Sequence, residues 1–202
     1  AHGRITELDV SAARSRPGVE AVYTASDLTS LGGLPCRAAL KNAQGEPAFI
    51  PHRPILAEDK VLFVGQAIAA VVAQTPEQAA DAVEAIDLSV DHLPACSDLS
   101  GALNPDTLPI HDTRTDNLCV HFEQGSATDV DQALASGAHR ISVSLVNNRV
   151  VPSPLEPRAT LVEPADEGFS LYNPSQGALG QRAVLAKVFS LPADQIRVIS
   201  PD

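Results

Sequence analysis

Basic residues are scarce in this sequence, and they are scattered rather than clustered. The chain has 14 Lys and Arg residues against 25 Asp and Glu residues, which gives a formal net charge of −11. Nucleic acids and anionic membrane surfaces are bound through basic patches, so we expect neither as a partner. The longest apolar run, Ala67 to Ala73, is far shorter than the roughly 20 residues that cross a bilayer. We therefore expect a soluble chain, and its 44% of hydrophobic residues is ample for a packed core.

Patterns for disulfide scaffolds and metal cages are also lacking. The three cysteines, Cys36, Cys96 and Cys119, are unevenly spaced and form no CxxC motif. Their odd number and spacing argue against a disulfide framework, an iron–sulfur cluster or a zinc site. The six histidines include no i,i+4 pair of the kind that binds zinc on a helix. We therefore predict free, buried thiols and no metal ligand in this chain.

The first half of the chain alternates short extended and helical patterns. Alternating apolar residues predict strands in the first nine residues, at Val19–Thr24 and at Asp87–His92, with a short helix between the first two. The apolar runs Lys60–Phe63 and Ala67–Ala73 predict two paired buried strands, or one strand kinked at Gly65. This order of elements predicts an α+β domain.

Two stretches of the first half differ sharply in regularity. A helix start stands at Thr75-Pro76, where threonine can cap the first turn and proline can occupy its first position. Helical spacing then predicts an inward apolar face of Ala79, Ala80, Val83 and Ile86. Residues 29–59, in contrast, show no regular pattern. We interpret them as a surface insertion, with a flap on the subunit or substrate side as the alternative.

The two halves are separated by an irregular stretch. Pro94 to Leu118 has no sustained periodicity and is interrupted by proline and glycine among polar residues. We therefore predict a linker at residues 96–118, which divides residues 1–95 from residues 119–202, and no regular element within it.

The second part predicts the element order β-α-β-β-β-α-β. Its extended patterns are Cys119–Gln124, His139–Val151, Arg158–Glu163, Phe169–Tyr172 and Ile196–Ile199. A short helix follows Gly125 and ends near Gly137. A longer helix spans Gly177–Ser190, and its spacing places these residues inward: Leu179, Ala183, Ala186 and Val188 or Phe189.

A proline-bounded acidic corner, Pro154-Leu155-Glu156-Pro157-Arg158, follows the longest predicted strand. Proline fixes its own φ and keeps the preceding residue extended, so we expect Glu156 to be held rigidly. The simplest interpretation is a salt bridge between Glu156 and Arg158 within a turn. Alternatively, the carboxylate accepts hydrogen bonds from backbone amides or from Arg149.

Gln176 is predicted to stand where a strand passes into a helix. Such a junction lets a side chain project from a rigid frame into a cleft, and an amide can both donate and accept hydrogen bonds. The plain alternative is a residue at a helix N-terminus that satisfies free backbone amides.

Four features follow one another in a characteristic order: residues 60–93, the acidic corner, Ser175-Gln176 with the helix after it, and the closing residues 195–202, QIRVISPD. Together they resemble the molybdopterin-binding catalytic subunit of the xanthine dehydrogenase and aldehyde oxidase family of molybdenum hydroxylases. Residues 60–93 are similar to the a/b hammerhead domain of those subunits. The resemblance covers nearly the whole chain.

The resemblance implies an α+β fold with an a/b hammerhead domain at residues 1–95, a linker at 96–118, and the first part of a mixed α+β molybdopterin-binding domain at 119–202. It implies that Gln176 is both catalytic and cofactor-binding, because a glutamine in this position hydrogen-bonds an oxygen ligand of the molybdenum in the family. Glu156 does not match the family's catalytic glutamate, which lies far downstream, and is expected to support the cofactor cleft.

The implied reaction is the oxidative hydroxylation of an aldehyde or N-heterocycle with oxygen from water. The implied cofactors are a molybdenum–pterin cofactor in its cytosine dinucleotide form, with FAD and 2Fe-2S on partner subunits or domains. The implied partners are an iron–sulfur subunit, an FAD subunit and a small-molecule substrate, in the cytoplasm. The alternative is a non-catalytic binding or assembly module of two small α+β domains, because no nucleophile or metal cage is complete within these residues.

The resemblance also implies that this sequence is a fragment. A few dozen residues are expected before Ala1, and several hundred are expected after Asp202, including a glycine-rich loop and the catalytic glutamate. We therefore expect the 202 residues alone to hold no cofactor and to be inactive.

Overall fold

Short strands and helices are connected in this chain by long irregular segments. The computed structural model describes residues 1–148, 150–151, 153–156 and 158–201. The strands are β1 (Gly3–Asp9), β2 (Val19–Tyr23), β3 (Lys60–Val61), β4 (Ala70–Ala73), β5 (Asp87–His92), β6 (Leu161–Pro164), β7 (Phe169–Tyr172) and β8 (Ile196–Ile199). The helices are α1 (Ser11–Arg14), α2 (Pro76–Glu84), α3 (Leu99–Ala102), α4 (Ala127–Ser136) and α5 (Ala178–Phe189). Helices and strands occur in both halves, which confirms the α+β prediction.

The first half is built on two small antiparallel sheets. β1 is the central strand of one sheet, between β3 and β5, whereas β2 and β4 form the other. The predicted pairing of the two apolar runs is therefore wrong, because β3 and β4 belong to different sheets. Gly65, at φ +86°, lies in the turn between them, and Gln66 Oε1 there accepts a hydrogen bond from the Leu62 N–H at 2.7 Å.

A small apolar core joins α1, β2 and α2. Its buried residues are Val10, Ala13, Val22 and Ala82. As predicted, Thr75 caps α2 by accepting a hydrogen bond from the Gln78 N–H at 3.3 Å, and Pro76 occupies the first turn. The buried face of α2 is rotated from the predicted one, because Ala82 is fully buried whereas Val83 is 53% exposed.

Residues within the predicted linker pack against the first half. The side chain of Lys60 is buried and forms an ion pair with Asp112. The His111 ring meets Phe49 edge-on at a centroid distance of 5.8 Å, and the Arg114 guanidinium lies 5.0 Å from the same ring centroid. Helix α3 also lies within 96–118, so the prediction of no regular element there is wrong. The division at residues 95 and 118 stays a prediction.

The third sheet organises the second half, with β7 as its central strand. β6 pairs with β7 in antiparallel fashion, and β8 pairs with β7 in parallel. A parallel neighbour requires a crossover connection, which α5 provides. Leu171, Val188 and Ile196 are buried in this unit, and Phe169 of β7 meets Phe189 of α5 edge-on at 5.5 Å.

The predicted inward face of α5 is only partly correct. Val188 is buried, and Ala186 is partly buried. Leu179 is 75% exposed and Ala183 is also exposed, so both assignments are wrong. The buried residue of α5 thus lies in its last turn, whereas Leu179 in its first turn is exposed.

Two predicted strands of the second half are not formed by the described residues. Cys119–Gln124 is irregular, and the described part of 139–151 forms no strand, although α4 lies between them as predicted. Ile141 and Leu145 are 87% and 86% exposed. A strand needs a neighbour to bond its backbone, and no described strand pairs with this segment.

Replacement of Gly168 by alanine is expected to destabilise the second half by roughly 2–4 kcal/mol. Gly168 has φ +97°, and a Cβ built there would overlap the carbonyl oxygen of Gln195, just before β8. Alanine would therefore push β8 away from β7. Urea unfolding of the chain measures the loss.

Gly45→Ala is the matched control for this substitution. Gly45 also has a positive φ, +83°, but a Cβ there meets nothing within 4 Å. We expect it to cost only about 1 kcal/mol, from backbone strain alone. Equal losses in the two variants would show that Gly168 is not needed for the close approach of β8.

The ion pair of Lys60 with Asp112 predicts a loss of stability in acid. The hydrogen bond from Lys60, and then the charges of Lys60 and Arg4, hold the pKa of Asp112 below its usual value. A depressed pKa contributes stability above the unfolded-state pKa of about 4, and this contribution is lost as the pH falls through the folded-state pKa. The urea midpoint of the wild-type chain should therefore drop more steeply below about pH 4 than that of Asp112→Asn.

Asp106→Asn controls for the removal of a carboxylate from the same segment, because Asp106 is exposed and forms no ion pair with the described residues. Its profile should follow the wild type. Superimposable profiles for the wild type and Asp112→Asn would contradict the expected contribution of the ion pair.

Candidate functional site

Gln176 lies in the loop between β7 and α5, at the strand-to-helix junction that the sequence predicts. The residue is exposed, and its side-chain amide forms no hydrogen bond with the residues that the structure describes. A polar group in this situation is available to an external ligand. Its usefulness then depends on how firmly the backbone beneath it is held.

Hydrogen bonds hold the start of this loop to the sheet. The Asn173 N–H donates to the Ile199 carbonyl at 3.0 Å, and the Thr160 hydroxyl donates to the Asn173 side chain at 2.9 Å. The Tyr172 hydroxyl donates to the Glu163 carboxylate at 2.9 Å, and this hydrogen bond raises the pKa of the tyrosine. The end of β7 is thus tied to both neighbouring strands.

Two serines hold the loop immediately before Gln176. The Ser200 hydroxyl, just after β8, accepts a hydrogen bond from the Ser175 N–H at 3.0 Å and donates to the Ser175 carbonyl at 3.1 Å. The Ser175 hydroxyl donates to the Ser200 oxygen at 3.3 Å and accepts from the Gly177 N–H at 3.4 Å. We call this arrangement the serine clasp. It fixes the backbone on both sides of Gln176.

Backbone donors that have no partner among the described residues lie directly after Gln176. The first N–H of the helical ladder is that of Gln181, which donates to the Gly177 carbonyl at 3.1 Å. The N–H groups of residues 178–180 therefore have no partner within the helix. A Cβ built on Gly177 meets none of the described atoms within 4 Å, so the space at the start of this turn is open.

This donor set fits a group that presents oxygen atoms. The amide of Gln176 and the free N–H groups are neutral donors, and a helix N-terminus favours negative charge. Direct metal binding is not provided for, because the described residues contain no group of three or more His, Cys, Asp or Glu side chains that could hold an ion. The donors at this site therefore suit a ligand that presents oxygen atoms.

The irregular segment 29–59 reaches this helix from the first half. The Gly32 N–H donates to the Val188 carbonyl at 2.9 Å, and a Cβ on Gly180 would lie 3.2 Å from an Arg37 guanidinium nitrogen. The interpretation as a plain surface insertion is therefore incomplete. The segment contacts both ends of α5, and its Arg37 lies near the first turn beyond Gln176.

The described residues of the acidic corner form no hydrogen bond with the residues of this site. Glu156 is exposed, and within the described ranges it forms neither an ion pair nor a hydrogen bond with Arg158. The predicted salt bridge between them is thus absent. Arg149 and Pro157, the other proposed supports, lie outside the described residues. Glu156 and Gln176 share no hydrogen bond.

The cysteines are free, as predicted, but the predicted burial is wrong for two of them. Cys36 and Cys119 are exposed, and Cys96 is half-buried. Separately, none of the helices within the described ranges is both long and apolar enough to cross a membrane.

Ser200 is the site residue to which the sequence assigned no role. It is part of the closing segment that carries the family resemblance, but nothing in the sequence links it to a loop 25 residues earlier. A signal is present in the pairing of Pro174-Ser175 with Ser200-Pro201, two serines beside prolines at the ends of neighbouring strands. This pattern indicates a contact between the two serines only once the parallel register of β7 and β8 is known.

Comparison with known protein families assigns both parts of the chain. Residues 1–94 match the aldehyde oxidase and xanthine dehydrogenase a/b hammerhead domain. Residues 110–202 match the molybdopterin cofactor-binding domain. Both matches agree with the resemblance that the sequence motifs indicated.

Individual relatives cover the whole chain. The 6-hydroxypseudooxynicotine dehydrogenase complex subunit gamma of Paenarthrobacter nicotinovorans is 31% identical over 201 residues, 98% of this chain and 25% of the relative. The carbon monoxide dehydrogenase large chain of Hydrogenophaga pseudoflava is 32% identical, over 100% of this chain and 26% of its own length. The crystal structure of quinoline 2-oxidoreductase from Pseudomonas putida 86 superposes with a TM-score of 0.83 at 26% identity, covering 100% of this chain and 25% of that one.

This chain therefore spans about a quarter of the length of these relatives. It belongs to the aldehyde oxidase and xanthine dehydrogenase family of molybdenum hydroxylases, and it contains sequence of the family's hammerhead domain and of its molybdopterin cofactor-binding domain.

Proposed function

We propose that this chain forms part of the catalytic subunit of a molybdenum hydroxylase, in which Gln176 binds the cofactor and contributes to catalysis. The observation that carries the proposal is the exposed amide of Gln176 on the loop held by the serine clasp, next to N–H groups of α5 that have no partner among the described residues. A surface glutamine with no such role needs no fixed backbone beneath it.

When bound, the molybdenum–pterin cofactor supplies the oxidation: water provides oxygen, a C–H bond of an aldehyde or N-heterocycle becomes C–OH, and two protons and two electrons are released. The role of Gln176 is to donate a hydrogen bond from its amide to a cofactor oxygen. A donor held in place before the reaction stabilises developing charge without reorganising at the moment of turnover. The N–H groups of residues 178–180, which have no hydrogen-bond partner among the described residues, offer further donors directly after Gln176 in the chain.

The proposal includes assembly with other subunits. One relative is named as a subunit of a dehydrogenase complex and another as a large chain, which supports a multi-subunit enzyme. We propose an iron–sulfur subunit and an FAD subunit as electron acceptors, the cytosine dinucleotide form of the cofactor, and a cytoplasmic location. The substrate class remains an aldehyde or N-heterocycle, and the relative named for quinoline oxidation supports the latter.

The remaining catalytic groups belong, in this proposal, to sequence outside these 202 residues, since the relatives are about four times as long. They include the catalytic glutamate and the glycine-rich loop that the family resemblance implies. The 202-residue chain alone is accordingly proposed to hold no molybdenum and to be inactive.

Gln176→Ala in the complete enzyme is expected to lower kcat by about 100-fold, the typical cost of removing one preorganised donor. Gln176→Glu, which keeps the side-chain length but lacks the N–H donor, should lose at least as much. Molybdenum content and Tm should stay at wild-type values, because Gln176 is exposed and supports no packing. Steady-state kinetics with elemental analysis makes both measurements.

Gln132→Ala is the matched control, because Gln132 is an exposed glutamine on α4. It should retain wild-type kcat. Full kcat in Gln176→Ala would refute the role of Gln176. A wild-type complete protein that holds no molybdenum and oxidises no substrate would instead support the assembly-module alternative.

A further inference from the structure

We propose that Ser200 is the positioning residue for Gln176: its hydroxyl fixes the loop from which the catalytic amide projects. The proposal rests on the proposed function of Gln176 and adds a second residue to it. Ser200 touches neither substrate nor cofactor in this account, and it acts entirely through the loop before α5.

Every proton of the serine clasp has one acceptor. Ser200 uses its single O–H to donate to the Ser175 carbonyl, and its oxygen accepts from the Ser175 N–H and hydroxyl. The Ser175 oxygen then accepts from the Gly177 N–H. A hydroxyl has one donor and two acceptor positions, so the three bonds to Ser175 satisfy the whole hydrogen-bonding capacity of the Ser200 hydroxyl. A fully satisfied network of this kind defines one loop geometry.

The serine clasp connects the two chain segments immediately beyond the point where the backbone pairing of β7 and β8 ends. The parallel ladder reaches Tyr172 and Ile199, and the Asn173 N–H makes one more bond to Ile199. In this register the next backbone donor to β7 would be residue 201, and Pro201 has no N–H, so the ladder ends here. The side chain of Ser200 supplies the next connection through the Ser175 N–H, so the path to Gln176 stays tied to the sheet beyond the end of the ladder.

Both backbone neighbours of Gln176 are held, while its own side chain is free. Ser175 is bonded to Ser200 on one side, and Gly177 is bonded to Ser175 on the other. The backbone at 176 is thereby fixed, and with it the Cα–Cβ bond from which the amide extends. Removal of the Ser200 hydroxyl breaks all three bonds to Ser175, but it leaves the buried residues of the sheet in place, because Ser200 is only half-buried at the strand end.

The test is a double-mutant cycle in the complete, molybdenum-loaded enzyme. Ser200→Ala is expected to lower kcat about 10-fold with KM and molybdenum content unchanged, because a mispositioned group loses a large part of its catalytic effect. Ser200→Thr keeps the hydroxyl and should retain kcat within about twofold. The Ser200→Ala/Gln176→Ala double variant should be no slower than Gln176→Ala, since a residue that acts only through Gln176 has nothing left to position.

Two further readouts complete the test. Ser170→Ala is the matched control, because Ser170 is a half-buried serine of β7 whose hydroxyl bonds to none of the described residues, and its kcat should equal the wild-type value. Hydrogen exchange in a peptide covering residues 173–178 should be faster in Ser200→Ala than in the wild type or in Ser170→Ala.

The outcomes separate the two proposals. If Gln176→Ala lowers kcat but Ser200→Ala does not, or if the two losses multiply in the double variant, the positioning role is overturned and the role of Gln176 stands. If Gln176→Ala keeps full kcat, the proposed function of Gln176 fails, and the positioning role falls with it. Faster exchange without loss of kcat would show that the clasp orders the loop but does not serve the reaction.

Discussion

The parallel pairing of β7 with β8 is the constraint on which the candidate site depends. The strands can approach only because residue 168 is a glycine, with a positive φ and no side chain to meet the Gln195 carbonyl. In the register that the two strands adopt, Tyr172 faces Ile199, and Ser200 lies within hydrogen-bonding distance of Ser175. The clasp in turn holds the backbone from which the Gln176 side chain extends, so Gly168 and Gln176 belong to one connected arrangement.

The sequence predicts correctly those features that depend only on neighbouring residues. The Thr75 cap, the proline in the first turn of α2, and the strand-to-helix junction at Gln176 all depend on a few adjacent residues, and the structure contains each of them. The predictions are wrong where the structure depends on contacts between distant parts of the chain. The runs that give β3 and β4 were assigned to each other, but β1 and β2 compete for them and separate them into two sheets.

The segment 139–151 illustrates the same limit in a different way. Its alternating pattern of apolar and polar side chains predicts a strand. A strand also requires a neighbouring strand whose backbone bonds to its own, and the side-chain pattern does not indicate whether one is present. The described residues offer no such neighbour, and Ile141 and Leu145 are left exposed. The Ser200 clasp could not be foreseen for a related reason: it joins residues 25 positions apart, and only the completed sheet places them together.

The central claim is that the amide of Gln176 faces the molybdenum cofactor. It is tested most directly by a crystal structure of the complete, cofactor-loaded enzyme, in which the distance from the Gln176 side-chain nitrogen to the nearest cofactor oxygen is measured. The account predicts a hydrogen bond, at about 2.7–3.2 Å, with the contacts between Ser175 and Ser200 intact. A Gln176 side chain directed away from the cofactor, with another residue as the donor in its place, would contradict it.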